Sequence, residues 1–373
     1  MRVLAVGADP GSILTRVRVA DPLAAWLQEQ GGELRLRPLH DAPLQELEWC
    51  DALVVQRGVS RRHFGLLQTA AAMRRATIYE IDDLLTEPAP HLQHAHALAR
   101  GARWVCASLD AADLVTVSTE RLASLLALAP ERHVVVPNAA FHLPLDAPAV
   151  QQAAGPMTLL VAASDRVAGA AAWPALRAWA DARGDAVSVL AVGPVSTDLQ
   201  QAGVSCRALP LMPREQFVRW AAAQPNPLAV IPLDDSRFSA GKSAIKWFDY
   251  AMAGVPTLAS DLPPYSDVIE HGRTGWLVGP GPADWQMALE AAIADAPARA
   301  RVAAAARQQV LAQHDPALTR QAWGQALQIA AARAASHGAI SPGRHGLRHA
   351  VQGLGLALRR WNRERLARRK SEK

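Results

Sequence analysis

Lysine is rare in this chain: of 39 basic residues, only those at 242, 246, 370 and 373 are lysines. Two of the four, Lys242 and Lys246, stand together in the run Gly241-Lys242-Ser243-Ala244-Ile245-Lys246-Trp247-Phe248-Asp249. The pattern predicts a helix over 241–253, with Ser239 as its cap and Gly254 and Pro256 ending it. On such a helix Lys242, Lys246 and Asp249 are spaced i, i+4, i+7 and share one face. Two cations in its first turns oppose the positive end of the helix dipole, at a local cost of about 0.3–1 kcal/mol each. An anion held by free backbone N–H groups, both ammonium groups and the Ser243 hydroxyl removes that conflict. The chemistry is capture of a phosphate or diphosphate; two solvated lysines on a surface helix are the plain alternative.

Residues 236–243 also miss the phosphate-loop pattern GxxxxGK[ST] only at Ser236, which leaves a P-loop NTPase as a lesser reading. Arg237 and Phe238 are bulky for a backbone that must curl around phosphate, and the motif sits deep in the chain. Asp82 and Asp83 close another apolar run, where they could position an acceptor or support its reacting hydroxyl, or merely cap a helix. Arg16 and Arg18 follow a Gly7–Gly11 turn without GxGxxG spacing and read as solvent-facing, while Arg57 ends a strand near the same edge. His63, His91, His94 and His96 have no ligand spacing, and no metal is expected.

The elements that must carry these groups alternate. Apolar runs at 2–7, 33–39, 52–57, 77–81, 114–118 and 133–137 read as strands, with helical patterns such as 62–73 and 119–129 between them. A Pro-containing stretch over 138–156 breaks the pattern, which restarts with strands at 157–163, 186–193, 205–209, 228–233 and 256–260. Strands separated by helices imply parallel sheets. The expected architecture is α/β, two doubly wound Rossmann-like domains over 1–140 and 157–335, a linker over 141–156, terminal helices after Pro282 and a basic tail over 336–373. In such sheets ligands bind beyond the carboxyl ends of the strands, where the loop leading to Lys242 lies.

The block 246–262, with Lys246, Asp249, Ala251-Met252-Ala253-Gly254-Val255-Pro256 and Ser260, is followed by Val268-Ile269-Glu270-His271-Gly272-Arg273-Thr274-Gly275-Trp276-Leu277-Val278. Together they resemble the nucleotide-sugar signature of the group 1 GT-B glycosyltransferases, K-x-x-E-x-x-A-x-G-x-P-V-x-x-S and then E-I-V-x-x-G-x-x-G-x-L-V. Segments 78–85, 112–119 and 135–139 resemble the family's first-domain and linker segments. The resemblance implies a GT-B fold facing a cleft and retaining transfer of a sugar from a nucleotide-diphosphate donor in the second domain. The acceptor, a glycan or lipid-linked glycan of bacterial surface polysaccharide synthesis of the O-antigen type, would sit in the first. Carried over, Lys242, Ser243 and Lys246 meet the donor diphosphate and Asp249 meets the ribose hydroxyls; with Asp82 and Asp83 following a strand at the cleft, Lys242, Asp82 and Asp83 are the expected catalytic residues. The donor is a substrate, and no cofactor is implied. Gly241 stands where the family has an acidic residue, Asp249 replaces the commoner Glu, and Pro263-Pro264 replace Gly-Gly. Gly241 motivates a second reading, a catalytically silent module that binds a nucleotide sugar and scaffolds a complex.

Composition narrows the classes. Half of the 373 residues are hydrophobic and 20% are charged, as in folded enzymes. The net charge of +5 conceals a split, with +8 in residues 344–373 and about −3 elsewhere, so the basic pI belongs to the tail and nucleic-acid binding is not expected. That tail suits adsorption to an anionic membrane surface. Three scattered cysteines, Cys50, Cys106 and Cys206, indicate neither a disulfide framework nor a zinc site. The early residues lack a signal-peptide core and no apolar run is long enough to span a bilayer, so the expected location is cytoplasmic, with peripheral contact at the inner membrane face.

Overall fold

The computed structural model describes residues 1–7, 11–38, 45–90, 92, 94–139, 156–167 and 171–336. The basic tail and nearly all of the expected linker lie outside the described residues. The first half contains strands β1 (Arg2–Gly7), β2 (Glu33–Pro38), β3 (Ala52–Gln56), β4 (Ala76–Ile81), β5 (Leu114–Val117) and β6 (His133–Val135). Its helices are α1 (Ile13–Thr15), α2 (Asp21–Glu29), α3 (Glu46–Trp49), α4 (Arg61–Ala72), α5 (Ala95–Ala111) and α6 (Glu120–Leu125), with a wider π turn over Arg16–Ala20. The second half holds β7 (Met157–Ala162), β8 (Val187–Val192), β9 (Arg207–Leu209), β10 (Pro227–Ile231), β11 (Thr257–Ser260) and β12 (Trp276–Val278). Around them run α7 (Ala172–Asp181), α8 (Val195–Gln201), α9 (Arg214–Ala222), α10 (Arg237–Ala240), α11 (Ile245–Met252), α12 (Pro282–Ala294), α13 (Ala296–Gln313) and α14 (Pro316–Ser336).

All strand pairs are parallel, and the strands form two six-stranded sheets ordered β2-β1-β3-β4-β5-β6 and β12-β11-β10-β7-β8-β9. Parallel sheets are covered on both faces, which is why β3, β4, β7 and β10 are buried along their whole length rather than alternating with water. In β1, Leu4 and Val6 face one core layer and Val3 and Ala5 the other, as the two-residue period of a strand requires.

The last helix does not stay with the sheet that precedes it. α14 lies on the first sheet, placing Trp323, Ala326, Leu327 and Ala330 among Val3, Ala5, Leu23 and Leu27. The Trp323 indole donates to the Arg18 carbonyl at 2.8 Å, and the Thr319 hydroxyl donates to the Pro137 carbonyl at 2.9 Å. Gly324 sits mid-helix, where glycine costs about 1 kcal/mol relative to alanine, because a Cβ there would run into the Trp26 ring.

Two expectations change. β12 was not foreseen: its apolar run, Trp276-Leu277-Val278, is only three residues long, and only Val278 is buried. The helix expected over 241–253 begins late, and a separate short helix precedes it. α10 is capped by Ser236, whose Oγ accepts from the Ser239 N–H at 3.1 Å, and α11 starts only at Ile245. Tertiary packing explains the break. Phe238 of α10 is buried in the core of the first sheet, and residues 241–244 turn the chain back to the second.

Candidate functional site

The loop after β10 therefore crosses to the first domain and returns, and it brings Lys242 and Ser243 to the boundary between the two sheets. They line a cavity of about 230 Å³ together with Thr119, Arg121, Asn138 and His314. Lys242 precedes α11 rather than riding on it, so the single helical face expected for Lys242, Lys246 and Asp249 reduces to the pair Lys246 and Asp249. The N-terminus of α11 has no side-chain cap, so its first N–H groups have no side-chain acceptor at the cap position, two residues after Lys242.

Each lysine rests on a ring. Lys242 Nζ is 5.1 Å from the centre of Phe238 and Lys246 Nζ is 5.3 Å from that of Phe217. Among the described residues, neither ammonium has a carboxylate within ion-pair distance. Burial pushes the Lys246 pKa below its ordinary value; Arg214 and Lys242 push the same way and Asp249 opposes them. A buried cation with no carboxylate at ion-pair distance is stabilised by an anionic ligand.

Asp249 is 4% exposed, and its Oδ1 accepts from Arg214 Nε at 2.6 Å. Arg214 Nη1 in turn donates to the Ala139 carbonyl at 3.0 Å. Sequence reasoning missed Arg214, since nothing in the run Pro213-Arg214-Glu215 marks it. Ser243 Oγ accepts from Asn138 Nδ2 at 2.6 Å, and the Asn138 carbonyl accepts from His314 Nδ1 at 3.1 Å. His314 packs its ring on Phe248, with centres 3.8 Å apart, and burial lowers its pKa.

Asp82 and Asp83 form a separate group beyond β4. Asp83 accepts from Arg57 Nη2 at 2.9 Å, and Asp82 lies 3.5 Å from Arg57 Nη1. Arg57 reaches both from a left-handed backbone, φ 50°, which an arginine adopts only at a cost. Desolvation, then the neighbouring Asp83, raise the Asp82 pKa, with Arg57 pulling it back. No contact joins this pair to Lys242. The Leu84 Cβ that follows them is 3.3 Å from where a Cβ on Gly241 would lie, so the Leu84 side chain stands between the two groups' backbones at Gly241.

Arg18, expected to face solvent, is 1% exposed. It donates through Nε to Glu80 at 2.9 Å and through Nη1 to the Val136 carbonyl at 2.5 Å and to Asn138 Oδ1 at 3.0 Å. Burial carries its partner Glu80 up to about 7 despite that pairing. Arg16 stays partly exposed beside Asp21. The P-loop alternative also falls. The N–H groups of Ala240, Gly241 and Lys242 bond to the carbonyls of Ser236, Arg237 and Ser239, so the amides that would cradle phosphate are already used.

Residues 206–323 match a protein-family model described as glycosyl transferase-like. Comparison by sequence with curated proteins gives no match. Anabaena HepE in complex with UDP and glucose superposes with a TM-score of 0.60 at 14% identity, over 88% of this chain and 99% of that one. Sucrose-phosphate synthase from Thermosynechococcus elongatus gives 0.60 at 13% identity over 87% and 98%, and the S. aureus MnaA co-structure with UDP gives 0.53 at 13% over 86% and 94%. The fold is GT-B. Within this GT-B frame the matched segment runs from β9 to α14 and carries Arg214, Lys242, Ser243, Lys246 and Asp249. No helix among the described residues is long and apolar enough to cross a membrane.

Proposed function

We propose that the protein is a retaining glycosyltransferase that takes its sugar from a nucleoside-diphosphate donor. The observation that carries the reading is the convergence of Lys242 and Lys246, free of carboxylate partners, at the uncapped start of α11. The donor diphosphate lies against Lys242, Ser243 and Lys246, and its ribose against Asp249, which Arg214 holds in place. When the bond between the sugar C1 and the diphosphate breaks, charge grows on the diphosphate. Fixed cations and backbone N–H groups stabilise that charge more than they stabilise the bound donor. The acceptor oxygen forms the new bond to C1 and passes its proton to the departing diphosphate oxygen. Asp82 and Asp83, steadied by Arg57, stand on the acceptor side. The UDP held by two of the structural neighbours makes uridine the first base to test.

The acceptor class we assign is a glycan or lipid-linked glycan of bacterial surface polysaccharide synthesis, met at the cytoplasmic membrane face. The charge of +8 over residues 344–373 supports that location. Truncation at Ser341 tests it by loss of binding to anionic vesicles. One observation favours a silent, donor-binding module instead: Gly241, at the position of the family's acidic residue, is packed against Leu84, Leu122 and Leu125. Thermal shift with UDP-, GDP- and ADP-sugars, followed by release of the nucleoside diphosphate, separates the readings. A transferase shows a shift that disappears in Lys242→Ala, together with release. The module shows the shift alone, and no shift with any sugar nucleotide defeats both.

A further inference from the structure

Asn138 is 5% exposed and is engaged in three directions. Its carbonyl accepts from His314 Nδ1, its Oδ1 accepts from Arg18 Nη1, and its Nδ2 lies 2.6 Å from Ser243 Oγ. An arginine has only donors, so the amide atom facing Arg18 must be the oxygen. Arg18 is itself fixed by Glu80 and the Val136 carbonyl, which removes the freedom to flip. The NH₂ group is then forced onto Ser243, and Ser243 Oγ can only accept there. A hydroxyl has a single proton. With Asn138 donating to it, the Ser243 proton turns elsewhere, and among the described residues no acceptor takes it. Ser243 and Lys242 line the same cavity.

The geometry points to Asn138 as a positioning residue that acts across the domain boundary, obliging the Ser243 hydroxyl to donate to the anionic ligand beside Lys242. The inference rests on the diphosphate reading of that site and deepens it. The first domain thereby sets the polarity of a group in the second, 105 positions away in sequence. A serine left unoriented could equally accept, and an acceptor oxygen pointed at a phosphate repels it.

The test is a double-mutant cycle on UDP affinity, read by titration calorimetry, with melting temperature as the check on folding. Ser243→Ala weakens UDP about tenfold, the scale of one hydrogen bond to a charged group. Asn138→Ala weakens it by a similar factor, yet adds little in the Ser243→Ala background. Asn138→Asp is the second variant: it keeps an oxygen toward Arg18 but presents an acceptor to Ser243. It costs more affinity with Ser243 present than in the Ser243→Ala background. Asn138 and Ser243 effects that multiply to about a hundredfold, or an Asn138→Ala protein that binds UDP like the wild type, overturn the inference while leaving the donor site standing. If neither UDP nor inorganic diphosphate binds the wild type, the donor-site reading and the inference fall together.

Discussion

Arg214 Nε and Asp249 Oδ1 are 2.6 Å apart, and each side chain is almost wholly buried. The pair ties α9 to α11 and, through the Ala139 carbonyl, ties both to the segment that leaves the first domain. Removing one member strands the other charge, and such losses run to about 3–5 kcal/mol. Arg214→Leu and Asp249→Leu are each expected to lower the urea midpoint, and the double variant to recover much of the loss. A double variant no more stable than its parents means that the pair contributes through something other than charge compensation.

Lys242→Ala and Lys246→Ala should separate stability from binding. No carboxylate is stranded by either change, and burial already works against the charge on Lys246. The melting temperature of the ligand-free protein therefore holds or rises, while affinity for UDP falls about tenfold or more for each. A drop in melting temperature comparable to the loss in binding points to a structural role for these lysines.

Glu80 gives the protein a pH dependence of known sign. Its pKa is raised from 4.5 to about 7 in the folded state, chiefly by burial, so the fold keeps a proton that the unfolded chain releases. The stability it supports is full below 4.5 and is lost as pH rises through 7, at about 1.4 kcal/mol per pH unit within that window. His63 works in the opposite direction. Burial lowers its pKa to about 4, so its contribution is present above its ordinary 6.5 and is lost as pH falls. The informative quantity is thus the difference in unfolding free energy between wild type and Glu80→Gln from pH 4.5 to about 7, the span of the shift. That difference should slope, and a flat one shows that Glu80 ionises as it does in water.

Gly241 tests whether the missing acidic residue is a defect or a fit. A Cβ there meets Leu84 at 3.3 Å and Leu122 and Leu125 at 3.4 Å. Gly241→Ala asks the leucines to shift by a few tenths of an ångström and should cost about 1 kcal/mol or less. Gly241→Glu drives a carboxylate among them and should cost several times more, with no gain in sugar transfer. Faster transfer in Gly241→Glu would show that the family's acid can act here after all.

Much of the frame was legible because buried parallel strands write themselves as unbroken apolar runs. Residues 2–7, 52–57 and 157–163 needed no context to be read as strands, and the restart at Met157 announced a second sheet. The scarcity of lysine marked Lys242 and Lys246 because two lysines so close together stand out where arginine is the default. What local pattern could not contain is any contact between distant segments. Helical spacing marks 241–253, but the first domain's core takes Phe238, and the helix begins only at Ile245. Arg18 looked like a surface residue because its partners, Glu80, Val136 and Asn138, lie 62, 118 and 120 positions away. Periodicity reports the face a residue shows within its own element. Which buried charge meets which, and which way a serine proton points, is decided only when the second sheet is packed against the first.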